Sequence, residues 1–112
     1  VITIWHNPRC SKSRQTLAIV EEKGDVAIRK YLDDAPSEAE IRDALEMLGL
    51  RAIDMMRAQE AEFREMGLSR TDDDDRLIAA MAKCPKLIER PIVFTNGKAA
   101  IGRPPESVLD IL

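Results

Sequence analysis

Val1-Ile2-Thr3-Ile4-Trp5-His6-Asn7-Pro8-Arg9-Cys10-Ser11-Lys12-Ser13-Arg14 opens the chain, and an amphipathic stretch from Thr16 to Lys23 follows it. The first five residues are β-branched or aromatic and read as a buried strand. His6 to Arg9, with Asn-Pro at its centre, reads as a loop. Ser11 to about Lys23 reads as a helix, with Gly24 as its stop. This order puts Cys10 at a helix N-terminus, where unpaired N–H groups and the positive end of the dipole favour an anion. The same field lowers a thiol's pKa, and Arg9, Lys12 and Arg14 add positive charge. One short segment therefore supplies both a nucleophile, Cys10, and an anion site in the first turn at Ser11, Lys12 and Ser13.

Working outward, Val26 to Leu32 is β-branched and partly alternating, so a second strand closes a βαβ unit. After the turn Asp33-Asp34-Ala35-Pro36, Ser37 and Glu40 fit a capping box. Ile41, Ala44, Leu45 and Leu48 follow at helical spacing and Gly49 ends the run. Ala52 to Met56, Glu60 to Met66 and Asp72 to Lys83 read as short helices, with no strand-like run between 51 and 83. The acidic run Asp72 to Asp75 suits the first turn of the last of these. Pro91 to Thr95 and Lys98 to Ile101 flank Asn96-Gly97, the strongest short hairpin signal. Gly102-Arg103-Pro104-Pro105 then starts a C-terminal helix carrying Val108, Leu109 and Leu112. The order β-α-β, helices, β-β-α predicts an α/β fold. Its mixed four-stranded sheet has helices on both faces, and a helical insertion spans about 37–88 of a single domain, 1–112.

Composition narrows the function. The chain has 112 residues, 45% of them apolar and 33% charged, the balance of an ordinary globular domain. A net charge of −3 argues against nucleic acid as a partner. No apolar run approaches the roughly 18–20 residues of a membrane span. No export signal is visible, so a cytoplasmic location with reduced thiols is the expectation for Cys10 and Cys84. One His and two Cys do not make a zinc site. Ser13 stands where a second cysteine would complete Cys-x-x-Cys. Any disulfide made by Cys10 in a redox cycle must therefore be made with an external thiol. Arg90 and Arg103 each precede a proline, and Arg57 lies at a helix break. Guanidinium groups bind tetrahedral oxyanions with a fork geometry that lysine lacks.

The segment from His6 to Arg14 closely resembles the active-site loop of the ArsC family, glutaredoxin-coupled arsenate reductases, and most of all its YfgD-type branch. The resemblance runs nearly end to end. It takes in Tyr31-Leu32, Met66-Gly67-Leu68, Pro85 to Val93 with its Glu89-Arg90-Pro91, Asn96 to Ala99, and Ile101 to Glu106 with its Gly102-Arg103-Pro104. It implies a thioredoxin-like fold with a helical insertion and a cis-proline at Arg90-Pro91. It implies Cys10 as the nucleophile, His6 as the group that helps keep it deprotonated, and Arg57, Arg90 and Arg103 as ligands of oxyanion and glutathione. The implied activity is reduction of arsenate to arsenite, with no bound cofactor. Glutathione is the co-substrate, glutaredoxin the partner, and a monomer the expected state. Two alternatives stay open. One is a glutathione-linked thiol oxidoreductase acting on another substrate. The other is a regulator that contacts RNA polymerase, as the related Spx proteins do; these typically carry the Cys-x-x-Cys switch that Ser13 removes.

Overall fold

The computed structural model describes all residues, 1–112. They form two compact units, one of Val1–Asp34 with Arg90–Leu112 and the other of Ala35–Glu89.

The first unit holds the sheet. Strands β1 (Ile2–Trp5), β2 (Val26–Arg29), β3 (Ile92–Thr95) and β4 (Lys98–Ile101) lie in the order β2-β1-β3-β4. β1 runs parallel to β2 and antiparallel to β3, and β3 pairs antiparallel with β4, so the sheet is mixed. Helix α1 (Ser11–Glu21) connects β1 to β2. The hairpin turn has Asn96 at φ 54° and Gly97 at φ 72°. These paired positive angles match the right-handed twist of the flanking strands, and Asn-Gly adopts them at little cost.

Alternation along the strands sorts their side chains. Ile2, Ile4 and Val93 share a core with Val20 of α1 and Val108 near the C-terminus, and Leu17, Ile19, Val26, Ala100 and Ile111 pack against it. Trp5 and Phe94 point to the opposite face, their ring centroids 4.9 Å apart. Burying a side chain such as Val108 contributes about 1.5–3 kcal/mol, and several such groups hold α1 and the C-terminal segment against the sheet.

Local details depart from the sequence reading. α1 ends at Glu21, two residues early, and β2 ends at Arg29. Beyond it Lys30 O accepts from the N–H groups of Asp33 and Asp34 at 3.0 and 2.9 Å. Tyr31, within that turn, is fully buried. The C-terminal segment is a 3₁₀ helix over Pro105–Ile111, not an α-helix. Its inward residues are Pro105, Val108 and Ile111, a spacing of three that matches three residues per turn. Leu109 and Leu112 are 44% and 37% exposed.

The second unit is helical: α2 (Glu38–Leu48), a 3₁₀ helix at Ala52–Met55, α3 (Ala61–Glu65), α4 (Asp74–Lys83) and a 3₁₀ turn at Pro85–Leu87. The capping box forms as expected: Ser37 Oγ accepts from Glu40 N at 3.1 Å and Glu40 Oε1 from Ser37 N at 2.9 Å. Asp73 caps α4 by accepting from Arg76 N at 2.9 Å. Asp72, Asp74 and Asp75 pair with Arg76, Arg51 and Arg42. The acidic run is thus used up in capping and ion pairs. One antiparallel bridge, Met56 to Ile88, ties the unit's middle to its end. No helix of the protein is long and apolar enough to cross a membrane.

Candidate active site

Cys10 is the N-cap of α1, half-buried, with extended backbone and no side-chain cap bond. The usual capping oxygen is absent, so the helix's first N–H groups remain available to an anion. Burial alone raises the Cys10 pKa. The Ser13 N–H, the Arg90 guanidinium and the Lys12 N–H together outweigh that and bring it below the ordinary thiol value. Arg103 Nη2 lies 3.7 Å from Cys10 Sγ. Arg103 is held there by its own Nε, which donates to Arg90 O at 2.9 Å. The two arginines are therefore coupled, one presenting its guanidinium and also anchoring the other through its carbonyl. Both of their bonds to proline are cis, Arg90-Pro91 as the resemblance implied and Arg103-Pro104 in addition.

The loop before Cys10 is closed by hydrogen bonds. Asn7 O accepts from Cys10 N at 3.0 Å. Asn7 Oδ1 accepts from Arg9 N at 3.0 Å, and Pro8 O from Arg14 Nη1 at 2.9 Å. Ser13 is fully buried. Its Oγ accepts from Asn7 N at 3.0 Å and lies 2.7 Å from His6 Nδ1. Burial holds the His6 pKa below the ordinary histidine value, aided by the charges of Lys30 and Arg14 and opposed by Glu21. His6 is therefore neutral at pH 7. Ser13 Oγ, which already accepts from Asn7 N–H, shares a second hydrogen bond with Nδ1 of the imidazole. His6 thus bonds Ser13, the residue whose N–H faces the thiol. The side chains of Ser11 and Lys12 are exposed. Lys12 contributes through its main chain, its N–H to Cys10 and its carbonyl to Thr16 Oγ1 at 2.8 Å. A thiolate ringed by backbone N–H groups and two guanidinium groups can attack an electrophilic centre that carries oxyanions.

Comparison with known proteins gives the lineage. Residues 5–111 match the model of the ArsC family. The chain belongs to the ArsC family. It is 48% identical over 114 residues to an arsenate reductase of Neisseria meningitidis, covering 99% of this chain and 97% of that one. It is 46% identical to the uncharacterized protein YfgD of Escherichia coli, covering 99% and 96%. The solved structure of an arsenate reductase from Vibrio cholerae superposes with a TM-score of 0.94 at 50% identity, covering 99% and 97%.

Among the residues expected at an ArsC site, Cys10, Ser13, Lys12, Arg90 and Arg103 come together in the sheet unit, with His6 behind them. Arg57 lies in the helical unit and is held there. Its Nε and Nη2 meet Glu60 Oε2 at 3.1 Å, and its Nη1 meets Glu89 Oε1 at 3.1 Å. A guanidinium clamped by two carboxylates is already neutralised, which the sequence around Arg57 did not announce. Cys84 ends α4, half-buried and, like Cys10, a free thiol. Sequence reasoning gave no role to Asn7 or Thr16. Asn7 was detectable, because Asn before Pro commonly closes a turn on its own side chain. Thr16 was not, because only the three-dimensional approach of Gly102 gives it meaning. No group of three His, Cys, Asp or Glu side chains is arranged to hold a metal ion.

Proposed function

We propose that this ArsC-family protein reduces arsenate to arsenite through Cys10, with glutathione and glutaredoxin as electron donors. The observation that carries the reading is a single acidic thiol between N–H groups and two guanidinium groups, with a buried serine at the position of a second thiol. Relatives named arsenate reductases support the substrate. The Cys10 thiolate attacks arsenic and displaces one hydroxyl, which leaves as water after taking a proton. Arg90, Arg103 and the first turn of α1 neutralise the oxyanion as it forms. The glutathione thiol then attacks the adduct. That attack falls on the Cys10 sulfur: the S–S bond forms as the As–S bond breaks, the As–S pair of electrons stays on arsenic, which falls from As(V) to As(III), and the thiol proton passes to an arsenic oxygen as arsenite leaves. The overall balance is arsenate plus two thiols giving arsenite, one water and a mixed disulfide between Cys10 and glutathione. Ser13 Oγ is no thiol and is committed to Asn7 and His6, so it cannot resolve that disulfide, and glutaredoxin does so instead. Such a cycle fits a reducing cytoplasm.

The test is arsenate-dependent NADPH oxidation coupled through glutathione, glutaredoxin and glutathione reductase, for the wild type and Cys10→Ser. Turnover that vanishes in Cys10→Ser supports the reading. Robust turnover by the folded Cys10→Ser variant, or none by a wild type with a reactive Cys10, would sink it.

A further inference from the structure

Gly102 is buried at the point where the three segments that serve Cys10 meet. Its N–H donates to Pro91 O at 2.9 Å. A Cβ placed on it would lie 2.5 Å from Thr16 Oγ1, 2.8 Å from Pro91 Cγ and 3.0 Å from Thr16 Cγ2. These neighbours do not yield cheaply. Thr16 is fully buried, branched at Cβ, and tied through Oγ1 to Lys12 O at 2.8 Å. Pro91 is a rigid ring that follows Arg90. Gly102 has no positive φ, unlike four other glycines, so what the position demands is space.

Each neighbour belongs to a segment that carries a partner of the thiol. Thr16 stands on α1, whose first-turn N–H groups face Cys10. Pro91 follows Arg90, whose guanidinium and carbonyl both serve the site. The residue after Gly102 is Arg103, with Nη2 at 3.7 Å from Sγ. A side chain at 102 must drive these segments apart, and a shift of about 1 Å is enough to undo a hydrogen bond.

We propose that Gly102, seated against Thr16 and Pro91, is a positioning residue that sets how strongly Arg90 and Arg103 stabilise the Cys10 thiolate. The inference rests on the proposed role of Cys10 as nucleophile but not on the identity of its substrate.

The experiment measures the rate of Cys10 alkylation by iodoacetamide against pH, in a Cys84→Ser background, with circular dichroism and thermal unfolding as checks on the fold. Folded Gly102→Ala is expected to titrate Cys10 up to about one pKa unit higher than the parent. Arg103→Ala alone is expected to raise it too, but to add little on top of Gly102→Ala. Gly102→Ala/Thr16→Ala, which removes two of the three contacts, is expected to return the profile toward that of Thr16→Ala. Val108→Ala lowers stability through the core and is expected to leave the profile in place. A folded Gly102→Ala with the parent's profile would overturn the proposal, as would an Arg103→Ala effect undiminished in it. So would a Val108→Ala shift of equal size. Should Gly102→Ala not fold, the double variant is read against Thr16→Ala: recovery supports the proposal, and a folded double variant with a raised pKa overturns it. An acidic Cys10 in a wild type that is inert to arsenate refutes the substrate reading alone.

Discussion

Replacing Ser13 by alanine removes a hydroxyl that two buried groups depend on. Asn7 N–H loses its acceptor at 3.0 Å and His6 Nδ1 its partner at 2.7 Å. Asn7 and His6 are 9% and 5% exposed, so water replaces the hydroxyl poorly. Each orphaned buried group costs about 1–3 kcal/mol, and partial rescue by a water in the vacated space brings the sum to about 2–4 kcal/mol. For a domain of this size each kcal/mol moves the midpoint by about 3–5 °C, so Tm is expected to fall by about 6–20 °C. Calorimetry on Ser13→Ala measures the shift. A double-mutant cycle with His6→Ala then tests the cause, because groups that share one hydrogen bond are not additive. A loss below about 2 °C, or strict additivity with His6→Ala, would refute the reasoning that Ser13 fastens the loop through His6 and Asn7.

Two further outcomes follow from the site's geometry. Arg103 uses Nε on the Arg90 carbonyl and Nη2 toward the sulfur. Arg103→Ala is therefore expected to lower kcat/KM about ten- to thirtyfold in the coupled assay, the worth of one charge-assisted bond at an exposed position. Lysine cannot do both jobs, so Arg103→Lys should recover little. His6 has a lowered pKa in the fold, relative to 6.5. The unfolded chain thus binds a proton more readily than the folded one, and stability is expected to fall as pH drops below about 6.5 and to level off below the folded pKa. Denaturant midpoints between pH 7.5 and 5 should show this loss in the wild type and less of it in His6→Gln.

Much of the fold was written in local signals. The strand-loop-helix at the start, the Ser37–Glu40 capping box and the Asn96-Gly97 turn each state their geometry in adjacent residues, and all three appear where expected. Pro104 and Pro105 announce a helix but not its type, and the C-terminal segment is a 3₁₀ helix. The residues that face the core are spaced by three, and Pro105 belongs to them. At the site, Cys10 and its two proline-adjacent arginines were legible from residue type and resemblance. Ser13 was legible only as the absence of a thiol, because its bonds to Asn7 and His6 need the helix to fold back onto the loop. Arg57's clamp by Glu60 and Glu89, the latter far along the chain, depends on the Met56–Ile88 bridge, which no periodicity signals. In the sequence Gly102 reads only as part of a motif. What gives it weight is a close approach between segments distant in sequence, and no local pattern encodes that.

In the proposed cycle Cys10 alone carries the covalent chemistry. Mass spectrometry of the intact protein and its peptides, after incubation with arsenate and glutathione in the absence of glutaredoxin, tests it most directly. One glutathionyl group is expected on Cys10 that forms only when arsenate is present, persists in Cys84→Ser and is lost in Cys10→Ser. An adduct on Cys84, or none that depends on arsenate, would contradict that cycle.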